Sequence, residues 1–323
     1  MYLNYITSLR AIAILTIVLH HSIFAFSGWP PCVKHGVEME PYFHYICPLL
    51  RWIGLGVFTF ISGYLFNIGI TKRPDRSFID FVKNKTFRLL LPLIFFALLY
   101  ELFFPAYVGQ GYSFPLIEGS PLWYLPMLFI VLMTSFAITK VHGRKKRVLA
   151  IICAEIAFYI MRYIGIPFTG DIAIYFPCFV LGEYIDRLQQ KQIILPPRIV
   201  IVGILIAICY AVVNPSISSA LPSKVLTVLS FLIICISAII IFTFFQKANI
   251  KLSPLFHYIG KQSFGIYLIH QFIINTLVTV FFFEGVGWLN VLILFGAVIS
   301  VSILLTWILK FKPIARYTEY IGI

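Results

Sequence analysis

Long runs of apolar residues separated by short polar stretches make up almost the whole chain. Ten runs stand out, at roughly 8–26, 48–70, 87–107, 121–139, 148–166, 171–186, 199–214, 224–245, 262–283 and 288–310. About 20 apolar residues rising 1.5 Å each cross a hydrocarbon core of about 30 Å as a helix. The pattern therefore predicts an all-α fold, a polytopic integral membrane helical bundle of about ten transmembrane helices. The sixth run is the weakest, because Gly170-Asp171 and Pro177 interrupt it. No long polar insertion separates the runs, so one membrane domain over 1–323 is expected, with no fused soluble domain. The first run lacks a small-residue cleavage site and leads into further spans, so a cleavable signal peptide is not expected. The runs do not divide into halves with matching interruptions, which argues against a repeat-built transporter.

Composition sharpens this picture. Hydrophobic residues are 60% of the 323 and charged residues 11%, with a mean hydropathy of +0.95. A soluble domain of this size would need more polar surface to cover its core. The net charge of +13 would suggest nucleic acid in a soluble protein. Here the loops account for it. Twenty of the 25 lysines and arginines fall in loops 71–88, 140–147, 187–198 and 246–261 and in the tail, all on one side of a ten-span arrangement. Lys34, Arg51, Arg162 and Lys224 fall on the other. The positive-inside rule then places both termini in the cytoplasm. A multi-pass protein of the cytoplasmic (inner) membrane is expected, with membrane lipid rather than nucleic acid as its surroundings. Of the six cysteines, Cys32 and Cys47 share the outer side, where a disulfide or two separate thiols are both open readings. The other four lie inside spans at no metal-ligand spacing, and no metal site is expected.

The first span contains an arginine and two histidines in Ser8-Leu9-Arg10 through His20-His21-Ser22. On a helix, eleven steps of 100° bring Arg10 and His21 to one face, about 16 Å apart along the axis. His20 points about 100° away. An intramembrane arginine costs roughly 2.5–3.5 kcal/mol on insertion. Arg10 alone could snorkel as an interfacial anchor, and His21 alone could be an interhelical hydrogen-bonding group. Together on one stripe they read as the lining of a polar path, with a histidine able to take a proton near neutral pH.

Four further stretches carry polar chemistry. Phe60-Ile61-Ser62-Gly63-Tyr64-Leu65 ends the second span with a small residue for close helix approach and a hydroxyl donor. Lys85-Thr86-Phe87-Arg88-Leu89-Leu90-Leu91-Pro92 opens the third with two cations on neighbouring helix positions, suited to phosphates. Arg73 and Arg76 stand just ahead of it. Pro121-Leu122-Trp123-Tyr124-Leu125 starts the fourth with interfacial aromatics that also make platforms for sugar rings. Ile259 through His270 puts Ser263, Tyr267 and His270 at i, i+4 and i+7, on one face of the ninth span.

With Leu9-Arg10-Ala11-Ile12-Ala13-Ile14 through His21, these stretches resemble, in order and side of the membrane, the motifs of the membrane-bound acyltransferase-3 family: "LR-G-I-A-A" then His, "F-x-S-G-Y/F-L", "R-x-x-R" before Pro, "LWFL" and "G-x-x-S … I-Y-L-x-H". Ala11 stands where glycine is usual and Lys85 where the first arginine is usual. The middle of the chain, about 140–250, matches in hydropathy alone. The resemblance implies an integral membrane O-acyltransferase that moves an acyl group, commonly acetyl, from cytoplasmic acyl-CoA to a hydroxyl of an extracytoplasmic carbohydrate or lipid-linked glycan. Acetyl-CoA would be the donor substrate, with no metal. His21 and Arg10 would be catalytic. Lys85, Arg88, Arg73 and Arg76 would bind the donor. Ser62, Trp123, Tyr124, Ser263, Tyr267 and His270 would orient groups. A separate acyl-accepting protein is a possible partner. The competing readings are a transporter or flippase of a glycan intermediate and a membrane scaffold.

Overall fold

The structure is a computed structural model describing residues 4–27, 41–104, 122–166, 169–190, 223–247, 253–280 and 287–309. Every regular element among them is helical. The helices are α1 (Asn4–Phe24), α2 (Pro41–Lys72), α3 (Phe78–Lys85), α4 (Leu91–Phe103), α5 (Tyr124–Thr139), α6 (Arg144–Tyr163), α7 (Thr169–Gln190), α8 (Ser223–Lys247), α9 (Pro254–Val280) and α10 (Trp288–Leu309). Among the described residues, five rods are long and apolar enough to cross a membrane: α1, Leu49–Lys72 of α2, Phe78–Phe103, α9 and most of α10. The α5 helix and the 233–247 stretch of α8 are apolar but shorter. The expected seventh span, 199–214, lies outside the described residues.

The α1 helix packs on α2, α9 and α10, and α2 packs on α1, α7 and α8, so these two form the centre of the bundle. Burial follows the sequence. The α1 helix is apolar on nearly all sides, as a helix with no solvent face must be, and Leu9, Ala11, Ile14 and Val18 are wholly buried. At the periphery α4, α6 and α10 turn large apolar side chains outward, among them Leu98, Leu102, Leu149, Ile156, Leu289 and Trp307. Such a belt is an aggregation surface in water and a solvated one in lipid.

Small residues set the closest helix contacts. A Cβ on Gly63 of α2 would overlap the Phe179 carbonyl of α7, and one on Gly182 would overlap the Phe60 carbonyl. Across the bundle, a Cβ on Gly260 of α9 would overlap the Thr7 carbonyl of α1. The obstructing atoms are backbone, so no side chain can rotate aside. Glycine at these crossings lets dispersion act between backbones where lipid offers no hydrophobic drive.

Two local features depart from a plain reading of the runs. Pro177 does not break its helix: α7 continues from Thr169 to Gln190. Proline removes one i→i−4 bond, and packing by α2, α6 and α8 holds the rest. The third span begins earlier than residue 87. Ser77 caps α3, accepting from the Asp80 N–H at 3.1 Å and donating to its carboxylate at 2.6 Å. A π turn, Thr86–Leu90, then joins α3 to α4, with the Leu91 N–H donating to the Thr86 carbonyl. Pro92 explains the turn: it cannot donate to the Arg88 carbonyl, and the widened turn makes room for its ring. Arg88 sits within that turn.

Candidate functional site: a cation-mouthed cavity with two histidines beyond its far end

The α1, α2, α3, α5 and α9 helices, the turn that carries Arg76 and the π turn surround a cavity of about 630 Å³. Its volume falls in the usual range for ligand pockets. Arg10, Arg76, Lys85, Arg88 and Lys261 gather at one end, and among the described residues no carboxylate lines the space. The walls are apolar, with Leu55, Phe58 and Leu65 from α2 and Leu125, Leu128 and Leu132 from α5. Ser62 and Ser263 stand part-way along, and Tyr124 and Tyr267 close the far end.

The basic end is assembled around an aromatic pair. Phe81 and Phe136 stack at 4.3 Å. The Arg76 guanidinium lies 5.2 Å and the Lys85 ammonium 5.5 Å from the Phe81 ring centre. These contacts hold two cations side by side against their mutual repulsion. Lys140, which caps the C-terminus of α5, donates to the carbonyls of Arg76 at 3.4 Å and Pro74 at 3.5 Å, fastening the turn that carries Arg76. Arg73 lies off this cavity, in a shallow surface hollow with Lys72, Asp75, Asp80 and the shared Arg76.

At the far end the polar groups form a relay of rings. Tyr124 OH is 3.2 Å from Thr59 Oγ1, whose own hydroxyl donates to the Leu55 carbonyl at 2.7 Å. The Tyr124 and Tyr267 rings are 5.9 Å apart, Tyr267 and His270 5.8 Å, and His270 and His21 5.2 Å. The α1 and α9 stripes thus reach the same level. Arg10 and Ile17 line the cavity and His21 follows one turn on. Ser263 and Tyr267 line it and His270 follows one turn on. Gly260 sets this register, because it brings α9 against the α1 backbone near Thr7. His270 is fully buried, and its Nδ1 donates to the Tyr267 carbonyl at 2.7 Å and the Ile266 carbonyl at 3.1 Å.

His20 serves another purpose. Its Nδ1 donates to the Cys47 carbonyl at 2.9 Å and ties α1 to α2. Cys47 itself is buried with a free thiol, and Cys32 lies outside the described residues. Ser62 donates back to the Phe58 carbonyl at 2.8 Å, so its oxygen is presented as an acceptor. Trp123 does not line the cavity. It stands beside it, 5.4 Å from the Arg51 guanidinium and 6.0 Å from the Tyr175 ring.

Sequence reasoning passed over three contributors. Lys261 joins the cationic end. Phe81 organises that end. Arg51 bridges to Asp171 at 3.2 Å between α2 and α7. Arg51 stands eleven residues before Ser62, on the same face of α2 as Leu55, Phe58 and Ser62, which was a readable signal. Nothing in the sequence pairs Arg51 with Asp171.

A space with cations at one end and an apolar bore closed by two tyrosines, with His270 and His21 one turn beyond, can hold an anionic, chain-like molecule and bring its tip toward groups able to move a proton. That is the layout of a multi-pass membrane enzyme for group transfer. The chain belongs to the acyltransferase-3 family: residues 3–307 match its acyltransferase domain. Comparison with curated proteins and with solved structures finds no match.

Proposed function

We propose that this acyltransferase transfers acetyl from acetyl-CoA on the cytoplasmic side to a hydroxyl of an extracytoplasmic carbohydrate or lipid-linked glycan. The observation that carries the reading is the single cavity with five cations at one end and His21 beside His270 beyond the other. The basic end faces the cytoplasm, in keeping with the charge of the loops, and binds the donor phosphates through Arg10, Lys85, Arg88 and Arg76. Arg73 guides the approach. A charge-assisted contact to phosphate is roughly twice as strong as a neutral one, and arginine can make it bidentate. The pantetheine arm fits the apolar bore and brings the thioester toward Tyr267. His21 takes the proton of the acceptor hydroxyl as its oxygen attacks the thioester carbonyl. The new C–O bond forms, the C–S bond breaks, and the thiolate leaves with the proton returned from His21. Ser62, Ser263, Tyr124 and Tyr267 orient the reacting groups, and the hydroxyls of Ser263 and Tyr267 can donate to the developing oxyanion. Trp123, by Arg51, offers an aromatic face on the acceptor side.

The test is release of free CoA by purified protein in nanodiscs, with acetyl-CoA binding read in the same samples. Wild type binds and releases; a folded His21→Ala variant binds without release. Absence of binding would remove the donor assignment and favour a transporter of a glycan intermediate. Substrate movement without CoA release would do the same.

A further inference from the structure

Among the described residues, the hydrogen-bond partners of His270 Nδ1 are two backbone carbonyls, Tyr267 O at 2.7 Å and Ile266 O at 3.1 Å. Carbonyl oxygens only accept, so Nδ1 carries the hydrogen. In a neutral imidazole the second nitrogen then holds a lone pair and can only accept. That nitrogen, Nε2, is buried and makes no hydrogen bond among the described residues. The ring itself is fully buried, and the His21 ring stands next to it at 5.2 Å with the planes inclined by 47°. A buried acceptor left unsatisfied loses its hydration with nothing in return. An N–H offered by the neighbouring imidazole would offset that loss.

We infer that His270 is a positioning residue that fixes the tautomer of His21 by presenting a lone pair to it. Whichever nitrogen of His21 turns toward His270 carries its hydrogen, and the other keeps the lone pair that a general base needs. The α9 backbone thus dictates, through His270, which nitrogen of an α1 side chain is basic. The same logic governs histidines whose second nitrogen is held by a carboxylate or a carbonyl. A histidine that only satisfied its own helix would need nothing beyond its two carbonyl contacts and would leave His21 untouched. The consequence for rate rests on the acyl-transfer reading; the tautomers do not.

The experiment is 15N NMR of histidine-labelled protein in nanodiscs, without donor or acceptor, with signals assigned by single-histidine replacement. Wild type is expected to show His270 protonated on Nδ1 and bare on Nε2, and His21 in one tautomer. In His270→Phe, which keeps a ring but no acceptor, His21 should become a tautomer mixture or switch. In His270→Gln, whose amide oxygen can accept, the wild-type His21 pattern should return. In the CoA-release assay the Phe variant should lose about 10–100-fold and the Gln variant should recover part of that. A His270 protonated on Nε2 would overturn the inference. So would a His21 pattern unchanged in a folded Phe variant. If the tautomers respond while no variant, wild type included, releases CoA, the positioning stands and the acyl-transfer reading falls.

Discussion

Replacing Gly260 by alanine separates stability from function in a way few other changes here would. The added methyl meets the Thr7 carbonyl, a backbone atom in the first two turns of α1, and cannot be accommodated by a rotamer change. Overpacking of this kind costs about 1–3 kcal/mol. Alanine in place of glycine inside a helix returns about 1 kcal/mol. The net loss of stability is therefore about 0–2 kcal/mol, a modest shift in melting temperature. The geometric effect is larger. To clear the carbonyl, α9 must move away from α1 or slide along it by about an ångström, taking Ser263, Tyr267 and His270 with it. A displacement of that size at a reacting centre costs about 100-fold in rate. Thermal unfolding in nanodiscs and CoA release, measured on the same preparation, decide the matter. The expected result is a nearly unchanged melting temperature with a rate down by about 100-fold. A variant with wild-type rate would refute the claim that this glycine sets the register of the two histidines. A variant that fails to fold would mean that the carbonyl contact is stiffer than the helices around it.

Other expectations follow from the same structure. Gly63→Ala should destabilise by up to about 2 kcal/mol, the overpacking against the Phe179 carbonyl less the helix propensity gained, and Gly182→Ala similarly through Phe60; chemical denaturation of each variant checks this, and a gain of stability in both would contradict the crossing. Arg88→Ala should weaken acetyl-CoA binding by about threefold to tenfold, a small effect because the side chain is exposed, and the loss should shrink at high salt; calorimetry at two ionic strengths reads it. The Arg51–Asp171 pair at 3.2 Å is partly exposed, so Arg51→Ala should lower stability by no more than about 1 kcal/mol. The charge-swapped double variant should restore that stability, and a melting temperature that stays low would show that the pair does more than join α2 to α7. Tyr124→Phe should cost about 1 kcal/mol, because Thr59 keeps its bond to the Leu55 carbonyl when the phenol is removed; a loss of several kcal/mol would contradict that arrangement.

What the sequence conveyed and what it withheld divide along physical lines. Apolar length and loop charge are local properties, and they carried the helical class and most helix positions. Stripe geometry is also local, so the coincidence of Arg10 with His21, and of Ser263 with Tyr267 and His270, could be computed from 100° per residue. How α1 and α9 meet is not local. It depends on the Gly260 contact with Thr7, and a glycine in a span carries no address for its partner. Pro177 reads as a breaker because propensity scales describe isolated helices, whereas α7 is supported by four neighbours, α2, α5, α6 and α8. Trp123 and Tyr124 read alike as interfacial aromatics. Only packing shows that Tyr124 turns into the cavity and Trp123 turns to Arg51. The aromatic seating of Arg76 and Lys85 on Phe81 joins three residues whose types alone suggest no partnership.

The central claim is that one cavity takes a donor at its basic, cytoplasmic end and delivers the acyl group at the other side. The most direct measurement uses sealed membrane vesicles of both orientations from cells expressing the protein, given acetyl-CoA labelled in the acetyl group. The account predicts label on carbohydrate when the donor meets the cytoplasmic face, none when it meets only the opposite face, and none in either case with His21→Ala. Equal labelling from both faces, or labelling that survives a folded His21→Ala, would contradict it.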